Sequence, residues 1–303
     1  MTSLTVSIVT ANNRKLICDC LESIYATLEG LSCEVFVVIN ASRDDSETVI
    51  RERFPMTNLI VNQERRGFTY NHNQVMRRAG GKYVLILNDD TLMRPGALRK
   101  MVDFMDRSPG TGLLGPRILN PDLSLQWSAG RGITHKYEYF TAAVLKNILP
   151  FLIRERHYHQ TLEVSWLTGA CLLARAEALE KVGLFDENIV IYFEDGDLCY
   201  RMIRAGWKVV FYPDAEIIHY LGQTRRQHLA RDLEIIFQSG CYFFDKHYSF
   251  PSAMVIRGFM LLWAVSRYGV NLFHPARRDS ERLGAYGRAI RLLLGSSEQR
   301  YRA

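Results

Sequence analysis

The chain has 303 residues, 48% hydrophobic and 23% charged, a globular composition that excludes a disordered chain, a fibrous repeat and a disulfide-stapled miniprotein. Nine arginines and three acids follow residue 250 and carry the whole +6 excess, while the first 250 residues balance 29 basic against 29 acidic groups. A body without net positive charge argues against a nucleic-acid role.

Leu4–Thr10 is short and β-branched and predicts a strand. The N-terminal stretch from Met1 to Val9 has no basic n-region and too short an apolar run for a signal peptide, so a cytoplasmic protein is expected. Leu16, Cys20, Ile24 and Leu28 recur at helical spacing over Lys15–Leu28. Glu34–Ile39 predicts a second strand, and the turn cluster after it can cap a helix from about Ser46. Strand Asn58–Val61, helix Thr69–Arg78 and strand Tyr83–Leu87 follow. This alternation implies βαβ units and a mostly parallel buried sheet. Ligands bind such sheets beyond the strands' carboxyl ends, here Thr10–Asn13, Asn40–Asp45 and Asn88–Thr91.

Residues 116–163 read as an irregular excursion over that face. Val164–Arg175 then predicts a strand, Ala176–Val182 and Asp195–Ala205 helices, Lys208–Tyr212 a strand and Thr224–Lys246 a longer helix. Pro251 breaks the pattern, dividing a body of residues 1–250 from a tail of 251–303. The six cysteines form no CxxC pair and read as buried thiols in a reducing compartment.

Two acid groups could carry chemistry. Asn88-Asp89-Asp90 ends a buried strand in two carboxylates, a setting for a hard divalent cation or for a turn that caps the next helix near Pro95. Glu194-Asp195-Gly196-Asp197 opens a helix behind Tyr192 and Phe193. It is either an acidic helix N-terminus or a general base whose pKa an aromatic wall raises.

Nine segments in register resemble the second large family of inverting, nucleotide-sugar-dependent glycosyltransferases of GT-A fold, especially bacterial rhamnosyltransferase-like members. They are Val9-Thr10 with Asn12, Cys20-Leu21-Glu22-Ser23, Asn40-Ala41-Ser42, Gly67-Phe68 with Asn71 and Asn73, Leu87-Asn88-Asp89-Asp90, Gly169-Ala170, Phe185-Asp186-Glu187, Glu194 to Leu198, and His219 with Gly222. The resemblance spans about residues 4–245 and implies an α/β fold, a Rossmann-like, mostly parallel sheet flanked by helices. It implies that Asp90 binds a divalent metal (Mg²⁺ or Mn²⁺) with His219 completing the shell. Asn88 and Asp89 share that motif, and Thr10 and Asn40 cradle the nucleotide. Asp195 is the implied base, with Glu194 beside it and Asp186 near the acceptor. Arg14, Arg65, Arg66 and Arg225 are candidates to neutralise a diphosphate. The implied partners are a nucleotide-sugar donor and a glycan or lipid-linked saccharide acceptor. Ile39 and Ala11 depart from the family pattern in the implied nucleotide pocket, the best support for the alternative of a catalytically silent, membrane-docked subunit.

The tail speaks without the family. Arg257 and Arg267 interrupt Pro251–Phe273, leaving Gly258–Ser266 as the longest uncharged run between them, against about 20 residues needed to cross a bilayer. On a helix, Val255, Ile256, Phe259, Leu262, Trp263, Val270 and Phe273 gather on one side, with both arginines outside that arc. Arg277, Arg278, Arg282, Arg288 and Arg291 follow. This pattern predicts an amphipathic helix on an anionic membrane surface, peripheral on the inner face of the cell membrane, rather than one packed on the body.

Overall fold

The computed structural model describes residues 3–28, 30–130, 156–220, 229–273 and 280–295. Strands β1 (Leu4–Thr10), β2 (Cys33–Asn40), β3 (Asn58–Asn62) and β4 (Tyr83–Asn88) run parallel in the order β3-β2-β1-β4, joined by helices Arg14–Ala26, Ser46–Arg53 and Phe68–Met76. Both faces of β1 are covered: Leu4, Val6 and Ile8 are buried, and so are Thr5 and Ser7 on the opposite side. The latter two are tolerated because Thr5 donates to Glu34 Oε1 at 2.5 Å and Ser7 Oγ meets His72 Nδ1 at 2.7 Å.

After the Asp89-Asp90 turn, β5 (Thr91–Met93) crosses to the far edge of the sheet. Helix Ala97–Arg107 and β6 (Thr111–Leu119) follow, then the short strands β7 (Leu125–Gln126) and β8 (Ala129–Gly130). The expected irregularity of residues 116–163 is corrected at its start, since Thr111–Leu119 is a buried central strand. Gly112, Gly115 and Pro116 disguise it in the sequence. A Cβ at Gly115 would come within 2.7 Å of Leu167, and Pro116 lies opposite Tyr212, where the ladder with β12 shifts register.

The predicted strand Val164–Arg175 is two strands, β10 (Trp166–Leu167) and β11 (Cys171–Arg175), broken by Thr168-Gly169-Ala170; β9 is Leu162–Glu163. Strand β12 runs from Lys208 through a bulge to His219, beyond the expected Tyr212. The main sheet reads β3-β2-β1-β4-β11-β6-β12-β5, and β10 pairs with β8 in a separate ribbon.

Helices Leu229–His247, Phe250–Phe273 and Ser280–Leu294 pack on one another. The expected helix start at Thr224 lies outside the described residues. Pro251 sits in the first turn of its helix, where its missing N–H costs nothing. The apolar arc expected on this helix is split. Ile256 turns inward with Ala253, Met260 and Ala264, and Trp263 is partly buried, whereas Val255, Phe259, Leu262, Val270 and Phe273 stay exposed. Arg257 is also buried, paired with Asp245. Trp166, Phe193 and Tyr200 of the body pack into this helical core.

Candidate active site

The register Thr91↔His219 places the end of β12 beside the Asp89-Asp90 turn. His219 Nε2 lies 3.1 Å from Asp90 Oδ1 and 3.4 Å from Asn88 Nδ2. The other ring nitrogen is 2.7 Å from Gln126 Oε1, and Gln126 Nε2 donates to the His219 carbonyl at 3.3 Å. A carbonyl can only accept, so the Gln126 oxygen faces the ring and His219 Nδ1 carries the proton. With Nδ1 engaged by Gln126, His219 turns Nε2 toward the Asp90 carboxylate. A carboxylate–imidazole pair at this spacing suits a divalent ion that takes its other ligands from water and phosphate. Among the described residues no cluster of three or more His, Cys, Asp or Glu side chains could hold a metal alone. The donor set fits a cation completed by a bound diphosphate.

Asp89 is turned away from that pair and accepts from Asn13 Nδ2 at 3.0 Å. Burial pushes its carboxyl up to about 6, with Asp90 adding to the rise and Thr10 and Asn13 opposing it. Thr10 is buried. Asn40 donates to the Arg66 carbonyl at 3.0 Å and accepts from the Arg66 N–H at 2.9 Å, so its amide braces that loop. Ile39 is packed in the main core rather than facing an open pocket. Arg14 is exposed and paired with Asp45 at 2.9 Å, and Arg66 is paired with Glu64 at 2.9 Å. Arg225 lies outside the described residues.

The second acid group sits across the sheet end. Tyr192 and Phe193 both have left-handed backbones, φ 65° and 69°, immediately before the helix Glu194–Arg204. Such residues cost on the order of 1–3 kcal/mol each unless the surroundings impose them. The helix Leu229–His247 does so for Phe193, which packs on Phe243 and Phe244, with centroids at 5.7 and 6.1 Å, and Gly240 leaves room for its ring. A methyl at Gly240 would approach Phe193 and Met260 to 3.2 Å.

The strained turn delivers Asp195 to the Gly169 N–H at 3.0 Å and the Gly196 N–H at 2.7 Å. Burial raises the Asp195 carboxyl, while these amides and the Trp166 indole favour its ionised form. Glu194 is raised further, by deeper burial and by the charge of Asp195 beside it, and its Oε2 has no hydrogen-bond partner. The two carboxyls are neighbours and both are raised, Glu194 the more strongly, so their protons belong to the pair rather than to either residue alone.

Asp186 and Asp197 are committed elsewhere. Asp197 is fully buried and accepts from Arg201 Nε, Lys246 Nζ and His247 Nε2, each at 2.7 Å. Burial alone would raise its carboxyl, but His247, Arg201 and Lys246 together hold it far below the usual carboxylate range. Asp186 accepts from Lys246 at 2.7 Å and from the Tyr242 hydroxyl at 3.0 Å; burial would raise its carboxyl, but Lys246 and the N–H groups of Asn188 outweigh that and hold it low. Asp186 is thus part of the brace between the body and the helix Leu229–His247.

A cavity of about 610 Å³ unites Asn88, Gln126, His219 and Asp195. Its walls include Trp127, Trp166, Tyr192, Phe193 and Ile236, the last from the helix Leu229–His247. Asp90 stands behind His219, and Thr10 and Asn40 lie outside this cavity at the ends of β1 and β2. Gln126 and Trp127 escaped the sequence reading because they lie in the segment taken as irregular, and no spacing rule links Gln126 to His219.

A family model described as "Glycosyltransferase like family 2" matches residues 2–238. The N-acetylglucosaminyl-diphospho-decaprenol L-rhamnosyltransferase of Mycobacterium tuberculosis is 31% identical over 217 residues, 65% of this chain and 70% of that protein. The rhamnosyltransferase WbbL of Escherichia coli is 26% identical over 181 residues, 54% of this chain and 65% of that protein. Among solved structures, a mannosyltransferase from Pyrobaculum calidifontis in complex with GDP-Man and Mn²⁺ superposes with a TM-score of 0.56 at 19% identity, covering 96% of this chain and 86% of that one.

Proposed function

The chain belongs to the glycosyltransferase-like family 2, and from that premise we propose that it transfers a sugar, rhamnose first among candidates, from a nucleoside-diphosphate donor to a hydroxyl of a lipid-linked saccharide, with inversion. Its relatives include an O-antigen biosynthesis protein and a rhamnosyltransferase whose name gives N-acetylglucosaminyl-diphospho-decaprenol as acceptor. The observation that carries the reading is one cavity lined by both Asp195, held by two backbone amides, and the histidine that faces Asp90.

Asp195, held by two amides, takes the proton from the acceptor hydroxyl as that oxygen bonds to the anomeric carbon. The bond from that carbon to the diphosphate breaks on the opposite face, and the diphosphate leaves with the electron pair. A divalent cation held by Asp90 and His219 would offset the charge of that leaving group. Asp90→Ala is expected to abolish metal-dependent hydrolysis and transfer of nucleotide-sugars while leaving the thermal midpoint near wild type. Normal turnover of this variant in chelator-treated buffer would remove the metal assignment.

The same reading places the protein peripherally on the cytoplasmic leaflet. Helix Phe250–Phe273 is long and apolar enough by length and composition to cross a membrane. Arg257 and Arg267 argue against spanning, at about 2.5–3.5 kcal/mol for an arginine near the bilayer centre. Its exposed residues, among them Phe250, Met254, Phe259, Leu262, Val265 and Phe273, include no charge, and the chain after residue 250 carries the +6 excess. An uncharged face beside arginines suits an anionic interface. Removing the tail would strip the core shared with Phe193, so surface changes make the cleaner test. Phe259→Glu with Leu262→Glu is expected to abolish flotation with anionic liposomes at unchanged thermal stability. Absence of wild-type flotation, or equal flotation of the variant, would end the membrane reading.

A further inference from the structure

We propose that Trp127 and Trp166 form the platform on which the acceptor's saccharide ring lies, a subsite that rests on the transferase reading above. The two indoles stand 5.1 Å apart, centroid to centroid, with their planes at 47°, and both line the cavity that holds Asp195 and His219. Trp127 remains 38% exposed.

The position of this corner identifies its ligand. Among the described residues, only Phe68, the first residue of the helix after β3, brings this cavity a wall from the β1–β3 side, where the strand ends of a parallel sheet would bind a nucleotide. The cavity lies instead over β4, β11, β6 and β12, on the side of the base. A molecule that must present a hydroxyl to Asp195 enters from here.

The platform is also rigid. Trp127 sits between Gln126, which fixes His219, and Ser128, which accepts from the Thr168 N–H at 2.9 Å through its carbonyl. Ser165 N–H donates to the Gly130 carbonyl at 2.8 Å, and Tyr158 Oη accepts from the N–H groups of Ser128 and Ala129 at 2.9 and 3.0 Å. Trp166 stands three residues before Gly169, whose N–H holds Asp195. One short ribbon thus carries both indoles and ties them to the base and to the histidine.

The chemistry selects a sugar ring. Indole faces are apolar and carry the negative side of the aromatic quadrupole, which attracts the electron-poor C–H face of a pyranose. The ring's hydroxyl edge is then left for Asn120, Thr168 and Asp195, which also line the cavity. A diphosphate would gain nothing from this corner, because an aromatic pair offers no cation.

The test is calorimetric titration with a short-chain alkyl diphosphate of N-acetylglucosamine, the headgroup class named for the mycobacterial relative, and separately with nucleoside diphosphates plus Mn²⁺. Trp127→Ala is expected to weaken the saccharide probe about tenfold or more, with Trp127→Phe recovering part of the loss and the nucleotide–Mn²⁺ affinity unchanged in both. Saccharide binding in Trp127→Ala equal to wild type, or no wild-type binding of the probe, would overturn the subsite. Equal loss of saccharide and nucleotide affinity would also overturn it, marking Trp127 as a support of the fold. Failure of wild-type protein to bind any nucleoside diphosphate with Mn²⁺ would instead strike the transferase reading itself.

Discussion

Asp195→Asn is expected to lower kcat for sugar transfer by about 10²–10⁴-fold, roughly 3–5 kcal/mol of barrier, while nucleotide affinity and thermal midpoint stay near wild type. The amide has nearly the shape of the carboxylate, so the turn after Phe193 can keep its course. What it loses is basicity at the cavity acid that two backbone amides hold in place. The pH profile gives an independent reading. Burial raises the Asp195 carboxyl, so the base gains its proton at a higher pH than a free aspartate, whose ordinary value is about 3.9. Activity should therefore fall as pH drops, along an acid limb displaced upward from the carboxylate range, and the limb belongs to the Glu194–Asp195 pair rather than to one residue. Near-normal kcat in Asp195→Asn, with the loss appearing in Glu194→Gln, would move the base to Glu194.

The βαβ half of the fold was legible because buried parallel strands leave continuous apolar runs and their helices leave a 3.6-residue period. Strand β6 was not, because two glycines and a proline mask it, and each is required by a neighbour the sequence does not reveal: Trp207 at Gly112, Leu167 at Gly115, and the β12 register shift at Pro116. The acids at 89–90 and 194–197 were readable from residue type and strand-end position. Their division of labour was not. Whether an aspartate is a base or a brace depends on partners far along the chain, as with Asp197 and His247. The Phe250–Phe273 helix shows the same limit: both of its faces are rich in apolar residues, so periodicity could not say that Ile256 meets protein while Leu262 does not.

Asp197→Ala should destabilise the protein by about 3–5 kcal/mol, the cost of removing one partner from a buried charge network. The fully buried carboxylate is the common acceptor for Arg201, Lys246 and His247. Two of these come from the helix Leu229–His247, so the network fastens that helix to the one bearing Asp195. Arg201 keeps the carbonyls of Val182, Gly183 and Leu184 and Lys246 keeps Asp186, but the space between them is left with positive charge and no anion. The pH dependence has a definite sign. The folded carboxyl is held far below its ordinary value, so its stabilisation is complete above the unfolded value of about 3.9 and is lost as pH falls toward the folded one. The gap between wild type and Asp197→Asn, measured by denaturant unfolding, should stay constant from pH 7 to about 5 and narrow below about 4. Because Phe243 and Phe244 on the same helix hold the strained Phe193, loosening this joint should also let the base wander. In Asp197→Asn, kcat should fall at temperatures well below the unfolding midpoint, with nucleotide affinity preserved. A variant as stable as wild type at pH 7 would show that the helix is held by its aromatic contacts alone.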